Sequence, residues 1–130
     1  DSVKAPAPQI LQTRQTYKRS SILAKQSIVV ANYKCELSSS HNTFIAKSTN
    51  HQYMEGHHLL PLNQQHNFKT SLDVYANIIC LCPICHRLLH FGTDKDRIQA
   101  ISKLYENREH RLENSGIKIT KNDAIELAMS

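Results

Sequence analysis

Two short stretches of this chain carry residues whose types and spacing can do chemistry. NIICLCPICHRLLH, residues 77–90, places His86 and His90 four apart. On a helix that spacing turns both imidazoles to one face, where they can grip a single metal ion. EGHHLLP, residues 55–61, adds His57 and His58. Neighbouring side chains on a strand point to opposite faces, so these two cannot easily share an ion. One of them can join His86 and His90, leaving the other beside the site and free to work as a base. Three imidazoles with an open position make a catalytic metal centre, not a closed structural one.

The cysteines suggest a second, separate site. Cys82 and Cys85 have the C-x-x-C spacing that turns two thiolates toward one zinc ion. CELSSSH supplies Cys35 and His41, which would complete a closed Cys₃His structural zinc. Cys80 reads as a small buried apolar residue, and the competing view is three unrelated buried cysteines. Glu55 lies two residues before His57 and on its face of a strand. It either holds an imidazole N–H or is a solvated charge. Gly56 permits a close backbone approach or occupies a bend. Arg87 holds a phosphate or is a surface cation. His51, His66 and His110 are ordinary polar positions, and Phe44 and Tyr53 are expected in a hairpin core.

The elements that must position these groups follow from pattern. Residues 17–32 predict a helix, with Ile22, Leu23, Ile28, Val29 and Val30 on a broad apolar side. Thr43–Lys47 and Gln52–His58 read as two extended segments around a turn at 48–51. Residues 61–72 are polar and loop-like, and Asn77–Leu81 is an apolar run suited to a buried strand. Pro83 can open a short helix that Gly92 stops. Asp94–Leu112 is an amphipathic helix with Ile98, Ile101, Leu104 and Tyr105 inward and Gly116 closing it. Thr120 with Asp123 starts a last helix through Met129.

At 130 residues the chain suits one domain with one core. No apolar run approaches the length of a membrane span. Eight histidines stand against three glycines and no tryptophan, which directs attention to side-chain chemistry over a glycine-rich phosphate loop. Lys and Arg exceed Asp and Glu by 16 to 11, a net charge of +5. That balance is compatible with a polyanionic partner, nucleic acid first, without deciding for it.

Taken together, His57–His58, Asn77 and the His86–His90 helix resemble the HNH, or ββα-metal, endonuclease motif. The spacing N-x₈-H-x₃-H is similar to that of the colicin-type nucleases. The wider pattern C-E-x₄-H-x-T-F, Y-M-E-G-H-H-L-x-P and N-I-x-x-L-C-P-x-C-H resembles HNH domains of bacterial restriction endonucleases, over residues 33–92. The resemblance implies an α+β fold: a ββα-metal core with a zinc-pinned hairpin and flanking helices. It implies that His57 is the ligand joining His86 and His90, that His58 is the general base, and that Asn77 holds strand and base by hydrogen bonds. Many zinc-bearing members carry a second C-x-x-C where this chain has Cys35 and His41.

The expected activity is hydrolysis of double-stranded DNA with one divalent ion (Mg²⁺, Mn²⁺, Ni²⁺, Co²⁺ or Zn²⁺), leaving 5′-phosphate and 3′-hydroxyl ends. Neutral imidazole, with an unperturbed pKa near ~6.5, can accept the water's proton. Residues 1–12 read as a linker from an upstream DNA-recognition domain and 13–130 as the nuclease domain, in a bacterial cytoplasmic restriction system, with a homodimer plausible for cutting both strands. The rival readings are a zinc-stabilised DNA-binding or interaction module without catalysis, and a bacteriocin-like toxin nuclease.

Overall fold

The computed structural model describes residues 2–7 and 20–130. Residues 2–7 are exposed and form no helix or strand. The rest of the expected 1–12 linker, and the first three residues of the helix expected from Tyr17, lie outside the described residues. From Ser20 onward the order is α1 (Ser21–Val30), β1 (Glu55–His58), β2 (Ile78–Leu81), α2 (Pro83–Phe91), α3 (Asp94–Asn114) and α4 (Lys121–Met129), with short 3₁₀ turns at Leu62–Asn67 and Tyr75–Asn77. This is the expected α+β arrangement, a two-stranded antiparallel sheet among helices.

β1 and β2 pair with His57 opposite Ile79 and His58 opposite Ile78. All four residues of β2 are buried, because helices cover the sheet on both sides, so the strand reads as an unbroken apolar run. α1 lies against the sheet through Ala24, and Ser27 is buried. A Cβ on Gly56 would come within 3.3 Å of Ala24 Cβ, so Gly56 serves close approach. That contact also corrects the expected face of α1 in part. Of the residues expected there, Ile28 packs against the core, while Ile22, Val29 and Val30 are exposed.

The expected pairing of 43–47 with 52–58 is present but short, with the Ala46 N–H donating to the His51 carbonyl and the Tyr53 N–H to the Phe44 carbonyl. Only Ile45 and Gln52 form a bridge, and the strand proper begins at Glu55. Side chains take ladder positions upstream: Gln52 Oε1 accepts the Thr43 N–H, and Thr43 Oγ1 donates to the Tyr53 carbonyl. Phe44 stacks on Tyr53 at 4.9 Å but is 64% exposed, so it is not core. The two strands of the ββα unit are therefore β1 and β2, separated by a 19-residue connection.

Local signals set the helices. The Cys82 sulfur accepts the Cys85 N–H at the start of α2, with Pro83 in its first turn. Thr93 and Thr120 cap α3 and α4. Gly116, at φ 81°, ends α3, and the Ile117 N–H returns to the Leu112 carbonyl. α3 buries Ile101, Leu104 and Tyr105 as expected, whereas Ile98 is 41% exposed.

α3 also buries Arg108, which binds both carboxylate oxygens of Glu36 at 2.8 Å and donates to the carbonyls of Tyr75, Ala76 and Ile78. Glu36 Oε2 in turn accepts the Cys80 N–H, and the Glu36 N–H donates to the Cys80 carbonyl. The ion pair thus ties the segment after Cys35 to β2 and to α3. Among the described residues, no helix is long and apolar enough to cross a membrane.

Candidate metal centre and its surroundings

His57, His86 and His90 converge. Each offers a ring nitrogen, and the three lie within 4.8 Å of one another. His86 Nε2 and His90 Nε2 are 3.2 Å apart, and the His57 ring centroid lies 5.0 and 5.3 Å from theirs. Nitrogens bound tetrahedrally at ~2.0–2.1 Å would be ~3.3 Å apart, so the donor set fits one ion. Burial, then the neighbouring His86, His90 and His58, pushes His57 down to about 3. Burial and the nearby His86, Arg97 and Arg87 also lower His90. Both effects favour the neutral imidazole, the form that ligates metal.

His86 is oriented from behind. Its Nδ1 lies 2.9 Å from Glu55 Oε1, while Glu55 Oε2 accepts the Tyr53 hydroxyl at 2.7 Å. Of the two readings of Glu55, the structure shows the one in which it holds an imidazole. Burial alone would raise its carboxyl, but the bonds from Tyr53 and His86 outweigh that and lower it.

His58 points away from this cluster, as neighbours on a strand must. Its Nε2 lies 2.8 Å from Asp73 Oδ1. Both His57 and His58 nonetheless line one cleft of about 360 Å³, together with His86, His90 and Arg97. Sequence reasoning passed over Asp73 and Arg97. A single aspartate in a polar loop and an arginine on a surface helix carry no distinguishing spacing.

Asn77 is fully buried and its amide is saturated. Oδ1 accepts the Leu60 N–H at 2.8 Å, and Nδ2 donates to the carbonyls of Leu60 and Leu72 at 3.0 and 2.8 Å. It clamps the chain just beyond His58 to the chain just before Asp73.

The cysteine cluster is distinct. Donor atoms of Cys35, His41, Cys82 and Cys85 lie within 4.8 Å of one another. His41 Nδ1 is 3.3 Å from Cys85 Sγ and 3.7 Å from Cys82 Sγ, against ~3.5 Å for nitrogen and sulfur sharing tetrahedral zinc. The cluster can therefore hold a structural zinc. Burial would raise the Cys35 thiol. Hydrogen bonds from the Cys82 and Ser38 backbone, the His41 ring and the Leu37 backbone bring it down to about 7. Cys80 stands outside the cluster; burial and Glu36 push it up to about 12, as suits a buried apolar side chain.

The remaining residues keep to the surface. Arg87 is exposed and its guanidinium lies 5.7 Å from the Phe91 ring. His66 and His110 are exposed, and His51 stacks on Tyr33 at 4.1 Å.

No curated protein matches the chain. Residues 42–92 match the family model described as HNH endonuclease. The match spans both strands and the whole of α2, and takes in His57, His58, Asn77, His86 and His90, while Cys35 and His41 lie before it. The segment that carries the histidine cluster is thus the one that matches the HNH endonuclease domain.

Proposed function

We propose that the chain is a metal-dependent endonuclease that hydrolyses DNA phosphodiester bonds with His58 as general base, leaving 5′-phosphate and 3′-hydroxyl ends. The observation that carries this reading is the cleft itself. Three imidazoles converge on it from β1 and α2, and His58 lines it from the opposite face of β1.

His57, His86 and His90 would hold one divalent ion, which when bound relieves charge on the phosphate and on the departing 3′ oxygen. Imidazole donors suit Zn²⁺, Ni²⁺, Co²⁺ or Mn²⁺, and Mg²⁺ where it is the available ion. His58 takes the proton of the attacking water, and Asn77 keeps the strand end that bears it in place. Arg97 adds a fixed positive charge to the same cleft, suited to a phosphate oxygen. Cys35, His41, Cys82 and Cys85 would bind a structural zinc that fastens the segment before β1 to the start of α2.

HNH nucleases act on DNA, and the net charge of +5 suits that partner. The pattern C-E-x₄-H-x-T-F with L-C-P-x-C-H supports a place as the cleavage domain of a restriction endonuclease. In that reading residues 13–130 form the nuclease unit, 1–12 link it to a DNA-recognition region, and two copies cut the two strands of a duplex.

The test is nicking of supercoiled plasmid with Mg²⁺, Mn²⁺ or Ni²⁺, wild type against His58→Ala. Nicking is expected with at least one ion, with products that a ligase reseals without end repair. The variant should be slower by ~10²–10⁴-fold. Absence of nicking by the wild type with every ion overturns the reading.

A further inference from the structure

We propose that Asp73 is a positioning residue that fixes the tautomer of His58, so that the histidine acts as a base through Nδ1. The inference rests on the reading of His58 as the base and deepens it.

The Asp73 carboxylate is held at both oxygens. Oδ1 lies 2.8 Å from His58 Nε2, and Oδ2 accepts the Ser20 N–H, just ahead of α1, at 2.7 Å. The two side chains are 14% and 12% exposed, so water competes little for the bond. Asp73's own N–H donates to Ser71 Oγ. The buried Asn77 amide grips Leu60, two residues after His58, and Leu72, one residue before Asp73. One side chain therefore sets the spacing of both partners.

A carboxylate offers only acceptors, so in the neutral ring the proton belongs on Nε2 and the lone pair on Nδ1. Nδ1 has no hydrogen-bond partner among the described residues, and the ring lines the cleft that holds His57, His86 and His90. In the reaction a water proton passes to Nδ1 while Nε2–H stays bonded to Asp73. The water oxygen bonds to phosphorus as the P–O3′ bond breaks, and the 3′ oxygen takes up a proton from solvent. The positive charge that appears on the ring forms against a carboxylate already in place, with no reorganisation at that moment.

The experiment reads the ring nitrogens of His58 by long-range ¹H–¹⁵N correlation at alkaline pH, in protein with zinc in the cysteine cluster and no ion added for the histidine cluster, for wild type and Asp73→Asn, alongside plasmid nicking of both and of His58→Ala. The substitution keeps a carbonyl oxygen for Ser20, but its amide can donate to Nε2 and drive the proton to Nδ1. The expected wild-type state is Nε2–H with an unprotonated Nδ1. Asp73→Asn should shift the population to Nδ1–H and lower kcat by ~10²-fold or more, with KM and melting temperature little changed.

A wild-type ring in the Nδ1–H form overturns the proposal, and that spectrum needs no variant to fold. So does wild-type nicking by Asp73→Asn when His58→Ala is inactive. If His58→Ala itself nicks normally, it is the base assignment that fails, and the role of Asp73 falls with it.

Discussion

Glu55 and His86 meet across the gap between β1 and α2, with 2.9 Å between carboxylate oxygen and Nδ1. That bond fixes which nitrogen of His86 remains for a metal, and Nε2 is the one found 3.2 Å from His90. Glu55 is thus placed as the outer partner of a histidine that would ligate the proposed ion, and such partners carry part of a site's affinity.

Glu55→Ala should weaken binding of Ni²⁺ or Zn²⁺ at the histidine cluster by ~10–100-fold, as measured by titration calorimetry in a protein whose cysteine site is already filled. Tyr53→Phe, which removes a bond to the other carboxylate oxygen, should have a smaller effect in the same direction. Unchanged affinity in Glu55→Ala would show that the ring needs no anchor.

The two proposed metal sites should be separable. Cys82→Ser removes a donor from the cysteine cluster and should lose about one equivalent of zinc, with a lower melting temperature. His57→Ala should retain that zinc and its melting temperature while losing nicking. Zinc retained in Cys82→Ser with unchanged melting would remove the structural site from the account.

The ion pair of Glu36 and Arg108 was not legible in the sequence. The two residues are 72 positions apart, and nothing in a charged residue on a helix announces that it will be 5% exposed. Breaking one side of a buried pair leaves a charge unmatched, so Arg108→Ala should cost about 3–5 kcal/mol in urea unfolding. The double variant Glu36→Gln, Arg108→Met should cost less than Arg108→Ala alone, because no orphan charge remains. An equal or greater loss would mean that the carbonyl bonds of Arg108, not its charge, hold the segment.

What could be read from sequence was whatever local geometry decides. The His86–His90 spacing, Pro83 opening α2, Gly116 closing α3 and the apolar run of β2 all depend on residues within a few positions of each other. The extended segments before β1 pair over a shorter stretch than expected, because side-chain hydrogen bonds compete there. Thr-Phe-Ile and Gln-Tyr-Met have strand-like composition, yet Gln52 spends its amide on Thr43 and Tyr33. In α1 the apolar side read from Ile22, Leu23, Ile28, Val29 and Val30 is only partly the packed one. Ile28 packs against the core and the small Ala24 lets the helix approach Gly56, while Ile22, Val29 and Val30 stay exposed. Asp73 and Arg97 became part of the site only through tertiary placement, which no spacing rule encodes.

Asn77 offers the sharpest test of how the site is held. Its amide accepts one hydrogen bond and donates two in a region with no solvent access. Asn77→Ala leaves the Leu60 N–H and the Leu60 and Leu72 carbonyls short of a partner, at about 1–3 kcal/mol for each group that water cannot reach. Asn77→Asp preserves size and the bond from the Leu60 N–H, but turns an oxygen toward the two carbonyls where an NH₂ stood. It should therefore be at least as destabilising as alanine at neutral pH, despite the closer shape, and should recover part of that loss as acid protonates the carboxyl. Urea unfolding of both variants at neutral and acidic pH checks this ranking. An Asn77→Asp protein as stable as wild type would contradict the donor role of Nδ2 and the clamp between Leu60 and Leu72 built on it.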